Sequence, residues 1–332
     1  MSERIAIIGS NSFSGASFAR YCLAEGLEVL GLSRSQEPSA SFLPYRWLPT
    51  EAQARWRFVQ ADLNEHPDRV MAALDAFAPS MVVNFAAQGM VAQSWLNPEH
   101  WYQTNVMANL RLHEALRRRT WLKKYVHVGT PEVYGSTSGV ITESAPFNPS
   151  TPYAASRAAC DLHLRTFINQ YQFPAVWTRA ANVYGPGQQL YRIIPRTILS
   201  IRLGQKLQLH GGGHSVRSFI HIDDVATATL AIARQAPTGE CYHLSTPQFI
   251  SIRALVEMIC RLMNADFASV AQITDDRPGK DAAYTLDSSK ARKNLGWSDT
   301  VALEEGVRAT IAWVEQHFDE IRHQPFDYIH KP

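Results

Sequence analysis

The chain has 332 residues, of which 45% are hydrophobic and 19% are charged, a composition typical of one large globular domain or two closely joined ones. With 32 Lys and Arg residues against 30 Asp and Glu residues, the formal charge is +2, which argues against nucleic acid as the partner. The four cysteines form no CxxC pair, and neither a signal peptide nor a membrane-spanning run is evident. We therefore expect a cytoplasmic protein that does not cross a membrane.

Short apolar runs rich in β-branched residues alternate with longer amphipathic stretches from the start of the chain. Helical patterns such as SGASFARYCLAEG and NVMANLRLHEALRRR separate the apolar runs. This alternation predicts an α/β fold, a doubly wound parallel sheet of Rossmann type. The six strands that we predict come from RIAIIG, LEVLGLS, RFVQADL, MVVNFAA, KYVHVGT and PAVWTRAANVYG.

The pattern changes after Tyr184, where Gly- and Pro-rich pieces accompany two helices that we predict at 251–264 and 302–318. The change indicates a smaller second lobe threaded around the first. We predict a dinucleotide-binding Rossmann domain from residues 1–183 together with about 218–247. Residues 184–217 and 248–332 would form the C-terminal substrate-binding lobe.

The segment IIGSNSFSGASF, where the first predicted strand meets a helix, carries the first chemical motif. Gly9 ends the strand and Gly15 opens the helix, so the backbone can turn tightly and approach a pyrophosphate at the helix N-terminus. The middle glycine of a GxxGxxG spacing is replaced by Ser12. The motif therefore predicts a dinucleotide site, with an ordinary strand-to-helix turn as the alternative.

The end of the second predicted strand bears on the choice of dinucleotide. A carboxylate there would hold the ribose hydroxyls of NAD, whereas Ser33 and Arg34 suit a 2′-phosphate. We predict NADP, with NAD as the alternative; a solvated surface arginine is the simpler interpretation of Arg34. The third and fourth predicted strands end in segments that would also contact the dinucleotide, namely Asp62, Leu63, Ala86, Ala87 and Gln88.

A set of motifs in matching order resembles the extended short-chain dehydrogenase/reductase family. They include ADL, NFAAQ, TNVMANLRLHEA, GTPEVYG, TPYAASRAACD, RAANVYGPG and RSFIHIDDVATA. Within that family the chain is most similar to nucleotide-sugar 4,6-dehydratases of the dTDP-glucose and GDP-mannose types. The resemblance implies a Rossmann domain, a C-terminal nucleotide-sugar lobe and an active site between them. The further cofactor-binding residues that it implies are Asn11, Phe13, Asn105, Tyr153 and Arg157.

The resemblance also assigns roles to Tyr153 and Arg157, which stand four residues apart on one predicted helix face after a Ser150 or Thr151 N-cap. Tyr153 would take the proton from the sugar 4-hydroxyl while hydride leaves C4. Arg157 replaces the usual lysine, would hold the nicotinamide ribose and would stabilise the phenolate. One cation about 4 Å away stabilises such a phenolate by about 4 kcal/mol at an effective dielectric near 20. Because arginine does not release a proton, a lysine-like relay would be lost.

The segment GTPEVYG bears on the reaction. By resemblance, Thr130 would hydrogen-bond the sugar O4 and Glu132 would remove the C5 proton. The dTDP-glucose enzymes carry an aspartate before that glutamate, where this chain has Pro131, which has no side-chain donor. Glu132 alone would then pass the proton to the departing 6-hydroxyl. A structural role for Glu132 is the alternative, because UDP-glucuronate decarboxylases resemble this segment too.

The second lobe would supply the substrate contacts. By resemblance, Asn182 and Arg217 would bind the diphosphate, with Arg192 beside it and Arg277 near the nucleotide. No metal is expected, because the strand histidines lack ligand spacing. The two helical segments TNVMANLRLHEALRRR and PYAASRAACDLHLRTFINQ resemble the family's dimer-forming pair, which implies a homodimer.

These features together predict a nucleotide-sugar 4,6-dehydratase. Bound NAD(P) would oxidise C4, water would be eliminated across C5–C6, and the hydride would return to C6. The alternatives are a 4-epimerase, a decarboxylase or a 5,6-dehydratase of the same extended family. An inactive dinucleotide-binding sensor is a further alternative, suggested by Ser12, Pro131 and Arg157 departing together from the family pattern.

Overall fold

The computed structural model describes residues 3–137, 139–275 and 285–332. Its strands are β1 Arg4–Ile8, β2 Glu28–Ser33, β3 Trp56–Gln60, β4 Met81–Asn84, β5 Lys124–Val128, β6 Val140–Ile141, β7 Ala175–Ala180, β8 Asn182–Tyr184, β9 Leu207–His210, β10 Val216–Arg217, β11 Phe219–His221, β12 Cys241–Leu244, β13 Ile250–Ser251, β14 Ala271–Thr274 and β15 Thr285–Leu286. Its α-helices are α1 Phe13–Ala24, α2 Thr50–Gln53, α3 Pro67–Phe77, α4 Pro98–Tyr102, α5 Asn109–Leu116, α6 Pro152–Tyr171, α7 Ile193–Leu203, α8 Ile222–Gln235, α9 Ile252–Leu262, α10 Phe267–Val270, α11 Ser289–Leu295, α12 Leu303–Gln316 and α13 Phe318–Ile321.

The main sheet has seven parallel strands in the order β12-β7-β5-β4-β1-β2-β3. The six strands predicted from the sequence are confirmed as β1, β2, β3, β4, β5 and β7, and β12 extends the sheet at one edge. The order reverses at β1, which lies between β2 and β4. A crevice at such a reversal point is where open α/β sheets bind their ligands.

Both faces of the sheet are covered by helices because successive side chains on a strand point to opposite faces. Ile5 and Ile7 of β1 belong to the core on the face of α1 and α8. Ala6 and Ile8 belong to the core on the opposite face, with α3, α5 and α6. The α/β Rossmann architecture predicted from the sequence is thereby confirmed.

A third core forms beside the sheet from α7, α9 and α12, with Ile198, Leu255 and Val314 among its fully buried residues. The division into two lobes at the boundaries given above stays a prediction. One helix of the second predicted lobe, α11, contributes Ala291 to the core of the first. Among the described helices, none has both the length and the apolar character needed to cross a bilayer.

Asp224, on the first turn of α8, connects that helix to the chain segment before α12. The buried carboxylate accepts hydrogen bonds from the Thr300 amide and hydroxyl, both at 2.9 Å, and from the Val301 amide at 3.2 Å. The preceding residue, Asp223, is 42% exposed and pairs with Arg20 on α1. Two adjacent carboxylates of one helix therefore differ sharply in burial and in the number of bonds they accept.

We expect Asp224→Ala to lower the free energy of unfolding by about 2–4 kcal/mol, because it leaves buried donors unpaired. Asp223→Ala is the matched control and should cost less than about 1 kcal/mol, since exposed ion pairs contribute little. Urea denaturation followed by tryptophan fluorescence measures both. Equal losses for the two variants would contradict the connecting role of Asp224.

Candidate active site

A cavity opens at the carboxyl ends of β1, β2, β3 and β4, where the sheet order reverses. Nine of the predicted dinucleotide-binding residues line it: Gly9, Ser12, Ser33, Arg34, Asp62, Leu63, Ala86, Ala87 and Gln88. Sequence reasoning missed six other lining residues: Ile8, Leu32, Ala61, Asn64, Phe85 and Thr104. All six adjoin a predicted position in the sequence, Thr104 standing directly before Asn105, so the predicted segments had the right places and were one residue too short.

The turn between β1 and α1 has the geometry of a cradle for phosphate. Gly9 has φ +82°, and a Cβ there would come 2.7 Å from the Ala86 amide nitrogen. A Cβ on Gly15 would lie 2.3 Å from the Gly9 carbonyl oxygen. Ser12 is the N-cap of α1: its hydroxyl accepts from the Gly15 amide at 3.1 Å and donates to the Gly9 carbonyl at 2.7 Å. The serine that breaks the glycine motif therefore holds the same turn together by hydrogen bonds.

Two other residues predicted to bind the dinucleotide lie beside this turn without lining the cavity. The Asn11 side-chain amide donates to the carbonyls of Ser35 and Gln36, both at 2.9 Å, and so ties the turn to the loop after β2. Phe13 packs in the core under α1. Both residues position the rim of the cavity.

Asn105 joins the cavity to the helix that carries Tyr153. It is buried in a π-helical segment, Gln103–Ala108. Its side-chain oxygen accepts from the Gln88 amide at 2.8 Å, and its amide group donates to the Ser156 hydroxyl at 2.9 Å. The loop after β4 and helix α6 are thus held in one arrangement by a single buried side chain.

Thr130 and Glu132 follow directly after β5. Thr130 is buried and caps the short 3₁₀ helix Pro131–Tyr134, where its hydroxyl oxygen accepts from the Glu132 amide at 3.2 Å. The bond from Glu132 uses one lone pair of the hydroxyl oxygen. The hydroxyl hydrogen can still donate to a substrate oxygen. Glu132 is partly exposed, and Pro131 occupies the first position of the helix.

Tyr153 and Arg157 lie in the first turns of α6. Thr151 is its N-cap and accepts from the Ala154 amide at 3.1 Å, which decides between the two predicted caps. Both Tyr153 and Arg157 are buried. The Arg157 guanidinium donates to the Val128 carbonyl at the end of β5, and it lies 3.4 Å from His127 Nε2.

A buried charge network continues behind Arg157. Asp161, one turn further along α6, pairs with Arg179 at 2.6 Å and lies 3.8 Å from His127. Burial, followed by the charges of Arg157 and Arg179, holds the pKa of His127 well below its usual value. The neutral ring can therefore accept a hydrogen bond from Arg157 at Nε2.

Three of the four predicted substrate residues, Asn182, Arg192 and Arg217, lie among the described residues. The Asn182 side chain donates to the Ser218 carbonyl at 3.1 Å, within the pairing of β8 with β11. Arg192 is exposed before α7, with its guanidinium over the Tyr191 ring at 5.5 Å. Arg217 is partly exposed and donates to the Val216 carbonyl. Arg277 lies outside the described residues.

Among the described residues, no group of three or more His, Cys, Asp or Glu side chains could hold a metal ion. The strand residues His127, His221 and His243 are all buried. His243 accepts or donates a bond of 2.8 Å with the Tyr134 hydroxyl, and burial followed by the charge of Arg179 lowers its pKa to about 3. All three histidines thus lie in the protein interior.

Comparison with known proteins gives concordant results. Residues 7–310 match the family model for GDP-mannose 4,6 dehydratase. A dTDP-glucose 4,6-dehydratase from Streptomyces griseus is 32% identical over 324 residues, which cover 96% of this chain and 95% of the relative. One from Streptomyces niveus is 33% identical over 318 residues, covering 93% and 92%. The crystal structure of DesIV, a dTDP-glucose 4,6-dehydratase from Streptomyces venezuelae with NAD bound, superposes with a TM-score of 0.87 at 30% identity, covering 95% of this chain and 98% of that one.

The contacts of Arg157 lead to a prediction about dinucleotide affinity. Arg157→Ala should weaken dinucleotide binding at least about tenfold, since it removes the cation that, by resemblance, holds the nicotinamide ribose. It also leaves the buried Val128 carbonyl unpaired. Arg157→Lys should retain part of the affinity, because it keeps the charge on a shorter side chain. Fluorescence titration with NAD and NADP measures the affinities.

Arg165→Ala is the matched control, because it removes an exposed cation from the same helix. Thermal melting of each variant separates loss of affinity from loss of fold. Wild-type affinity in folded Arg157→Ala would show that this cation does not serve the dinucleotide.

Proposed function

The chain belongs to the GDP-mannose 4,6-dehydratase family, and from this premise we propose how it carries out nucleotide-sugar 4,6-dehydration. The proposal rests on one observation: two pairs of predicted site residues, Thr130 with Glu132 and Tyr153 with Arg157, are both attached to the carboxyl end of strand β5. Thr130 and Glu132 follow β5, while Arg157, one turn after Tyr153, is hydrogen-bonded to the last carbonyl of that strand. A carboxylate and an arginine-supported phenol thus belong to the same end of the sheet.

The residues at the reversal point fit a dinucleotide, because a side chain at Gly9 or Gly15 would fill the turn where a pyrophosphate approaches the backbone. When bound, the nicotinamide supplies hydride chemistry by taking hydride from sugar C4 and returning it at C6. The pyrophosphate would rest on the amides at the start of α1, with the adenosine between the ends of β2 and β3. Asn105 and Gln88 would hold the loop after β4 against it.

Tyr153 is proposed as the base that accepts the proton of the 4-hydroxyl, with the Thr130 hydroxyl donating to O4. Arg157 would stabilise the phenolate from within helix α6. Because arginine does not give up a proton, it would act through charge and position alone. Thr130 and Arg157 would therefore support the oxidation step from two sides.

Glu132 is proposed to act in the next step. Once C4 is a ketone, the C5 hydrogen is acidic, and the carboxylate can remove it. Pro131 has no side-chain donor, so the proton that Glu132 gains would be passed to the departing 6-hydroxyl, which leaves as water. The C5–C6 double bond formed in this way would then receive hydride at C6 and a proton at C5.

Glu132→Gln tests this assignment with the correct nucleotide sugar. The variant should still oxidise C4 but lose elimination by about 10²–10⁴-fold, the usual contribution of a general base. Absorbance should then show a build-up of reduced nicotinamide, and NMR a 4-keto sugar that keeps its 6-hydroxyl. Wild type in heavy water should place deuterium at C5.

Tyr153→Phe is the matched contrast, because it should block oxidation and leave the nicotinamide oxidised. If Glu132→Gln converts the sugar at the wild-type rate without deuterium at C5, Glu132 is structural and the reaction is a 4-epimerisation. Product masses distinguish decarboxylation by loss of carbon dioxide. NMR separates 4,6-dehydration from 5,6-dehydration.

For the cofactor we propose NADP, with NAD as the alternative. Arg34 and Ser33 line the cavity at the end of β2, where a 2′-phosphate would find a guanidinium and a hydroxyl. The alternative is supported by similar structures that contain bound NAD, including that of DesIV. NAD and NADP differ only in the 2′-phosphate, so either dinucleotide would support the same 4,6-dehydratase reaction.

Arg34→Ala should weaken NADP binding by about tenfold or more while changing NAD affinity less than about twofold, because it removes a charge-assisted bond to the phosphate alone. Isothermal titration with each dinucleotide gives the two constants. Mass spectrometry of the dinucleotide released by denaturing fresh protein should find mostly NADP(H). Release of NAD(H) alone, with Arg34→Ala neutral, would favour the alternative.

For the substrate, the sequence leaves open the sugar and the choice among dTDP, UDP, CDP and GDP as the nucleotide. We propose that Asn182 and Arg217 bind the diphosphate with Arg192 beside it, since a guanidinium can contact two phosphate oxygens at once. Asn182, whose amide already bonds to Ser218, would contribute through its position beside β11. The place of Arg277 near the nucleotide stays a prediction, because this residue lies outside the described residues.

We also propose a homodimer through α5 and α6 with the π-helical segment before α5. Met107 on that segment is 41% exposed, and Leu162 and Tyr171 on α6 are 53% and 46% exposed. Apolar side chains on paired helices suit a four-helix contact between two copies.

A reducing cytoplasm is supported by the four cysteines, all of which are free and buried.

A further inference from the structure

The last seven residues, 326–332, cross from the second lobe to the rim of the cavity, and we call them the strap. The strap begins at α7. Arg196 donates to the Phe326 carbonyl at 3.0 Å and to the Asp327 carboxylate at 2.9 Å. The Tyr328 ring then packs edge-on against Tyr191, with centroids 5.5 Å apart. These contacts fix the start of the strap on the second lobe.

The middle of the strap is anchored to α4 of the Rossmann lobe by His330. Its ring stacks on the Trp101 ring with centroids 5.0 Å apart. Its Nε2 forms a 2.9 Å hydrogen bond with Nδ1 of His100. Burial, followed by His100 and Arg34, lowers the pKa of His330 below its usual value. The ring is therefore neutral near pH 7, which avoids placing a further positive charge beside Arg34 and His100. His330 is the strap residue with the most ring contacts.

The end of the strap reaches two side chains of the cavity rim. Gln88 donates to the Lys331 carbonyl at 2.7 Å. Arg34 donates from Nη1 to the Pro332 carbonyl at 2.5 Å and from Nη2 to the Lys331 carbonyl at 3.2 Å. Both terminal nitrogens of Arg34 are thus directed to backbone oxygens of the strap.

The strap contacts the rim without filling the cavity. Of the described residues that line the cavity, none belongs to the strap. A dinucleotide with a free 2′-hydroxyl could occupy the cavity while Arg34 keeps its bonds to the strap. A 2′-phosphate would need the same guanidinium nitrogens, and its negative oxygens would meet the two carbonyl oxygens.

We propose that the strap determines dinucleotide specificity by competing with the 2′-phosphate of NADP for Arg34. This proposal rests on the assignment of the cavity to a dinucleotide. NAD binds with the strap in place, whereas NADP must displace the Lys331 and Pro332 carbonyls from Arg34, so the strap reduces, without abolishing, the preference for NADP that Arg34 confers. The balance between the two dinucleotides is then set by the anchors of the strap, above all His330.

The test uses the full chain with His330→Ala, which removes the stack on Trp101 and the bond to His100. Titration should show NADP affinity rising by about five- to tenfold, the effect of releasing hydrogen bonds to a charged group, with NAD affinity changed less than about twofold. His323→Ala, an exposed histidine outside the strap, is the matched control and should change neither affinity. In the double variant with Arg34→Ala, the gain in NADP affinity should disappear.

Hydrogen–deuterium exchange on the wild-type chain gives a second measurement that needs no variant. Peptides covering 326–332 should exchange faster on addition of NADP and not on addition of NAD. An unchanged ratio of NADP to NAD affinity in His330→Ala, or equal exchange with both dinucleotides, would overturn the role of the strap. Failure of both dinucleotides to bind any variant or the wild type would instead refute the cavity assignment itself.

Discussion

The site depends on one buried cation held between a helix and a strand. Arg157 of α6 donates to the Val128 carbonyl of β5 and lies beside His127 of the same strand. A guanidinium that is removed from water must have its donors satisfied, so the relative position of helix and strand is constrained. Tyr153 stands one turn before Arg157, and Thr130 and Glu132 follow Val128 by two and four residues. The same contact therefore sets the spacing between the phenol and the carboxylate.

The buried charges around Arg157 are not balanced. Arg157 and Arg179 bring two positive charges, Asp161 brings one negative charge, and His127 stays neutral because its pKa is lowered. The Asp161–Arg179 pair is almost completely buried, so water screens little of this field. The excess of one positive charge favours negative charge on a nearby oxygen, and the phenolate form of Tyr153, the form that would accept the sugar proton, carries such a charge. The arginine in place of lysine is thus compatible with activation by charge.

Much of the architecture could be predicted because it follows from local pattern. The six strands, the N-cap of α6 at Ser150 or Thr151 and the glycine turn after β1 are each encoded within a few residues. Ser12 seemed to weaken the glycine motif, yet it supplies the N-cap, and its capping residue type was visible in the sequence. The contacts of Arg34 could not be predicted, because their partners lie 297 and 298 residues further along the chain. Nor did periodicity reveal that Asn105, in a π-helical segment, connects the loop after β4 to helix α6.

The strap at the rim of the cofactor cavity has a different consequence in a 4,6-dehydratase than it would have in an ordinary dehydrogenase. The dinucleotide takes hydride from C4 and gives it back at C6, so it ends each cycle in the oxidised state in which it began. It need not leave between turnovers, and a strap on the rim does not slow the reaction by delaying exchange. Competition at Arg34 would act when the dinucleotide is loaded, not when the sugar is converted. The seven strap residues, 326–332, are therefore free to select the dinucleotide without touching the groups that carry out the chemistry.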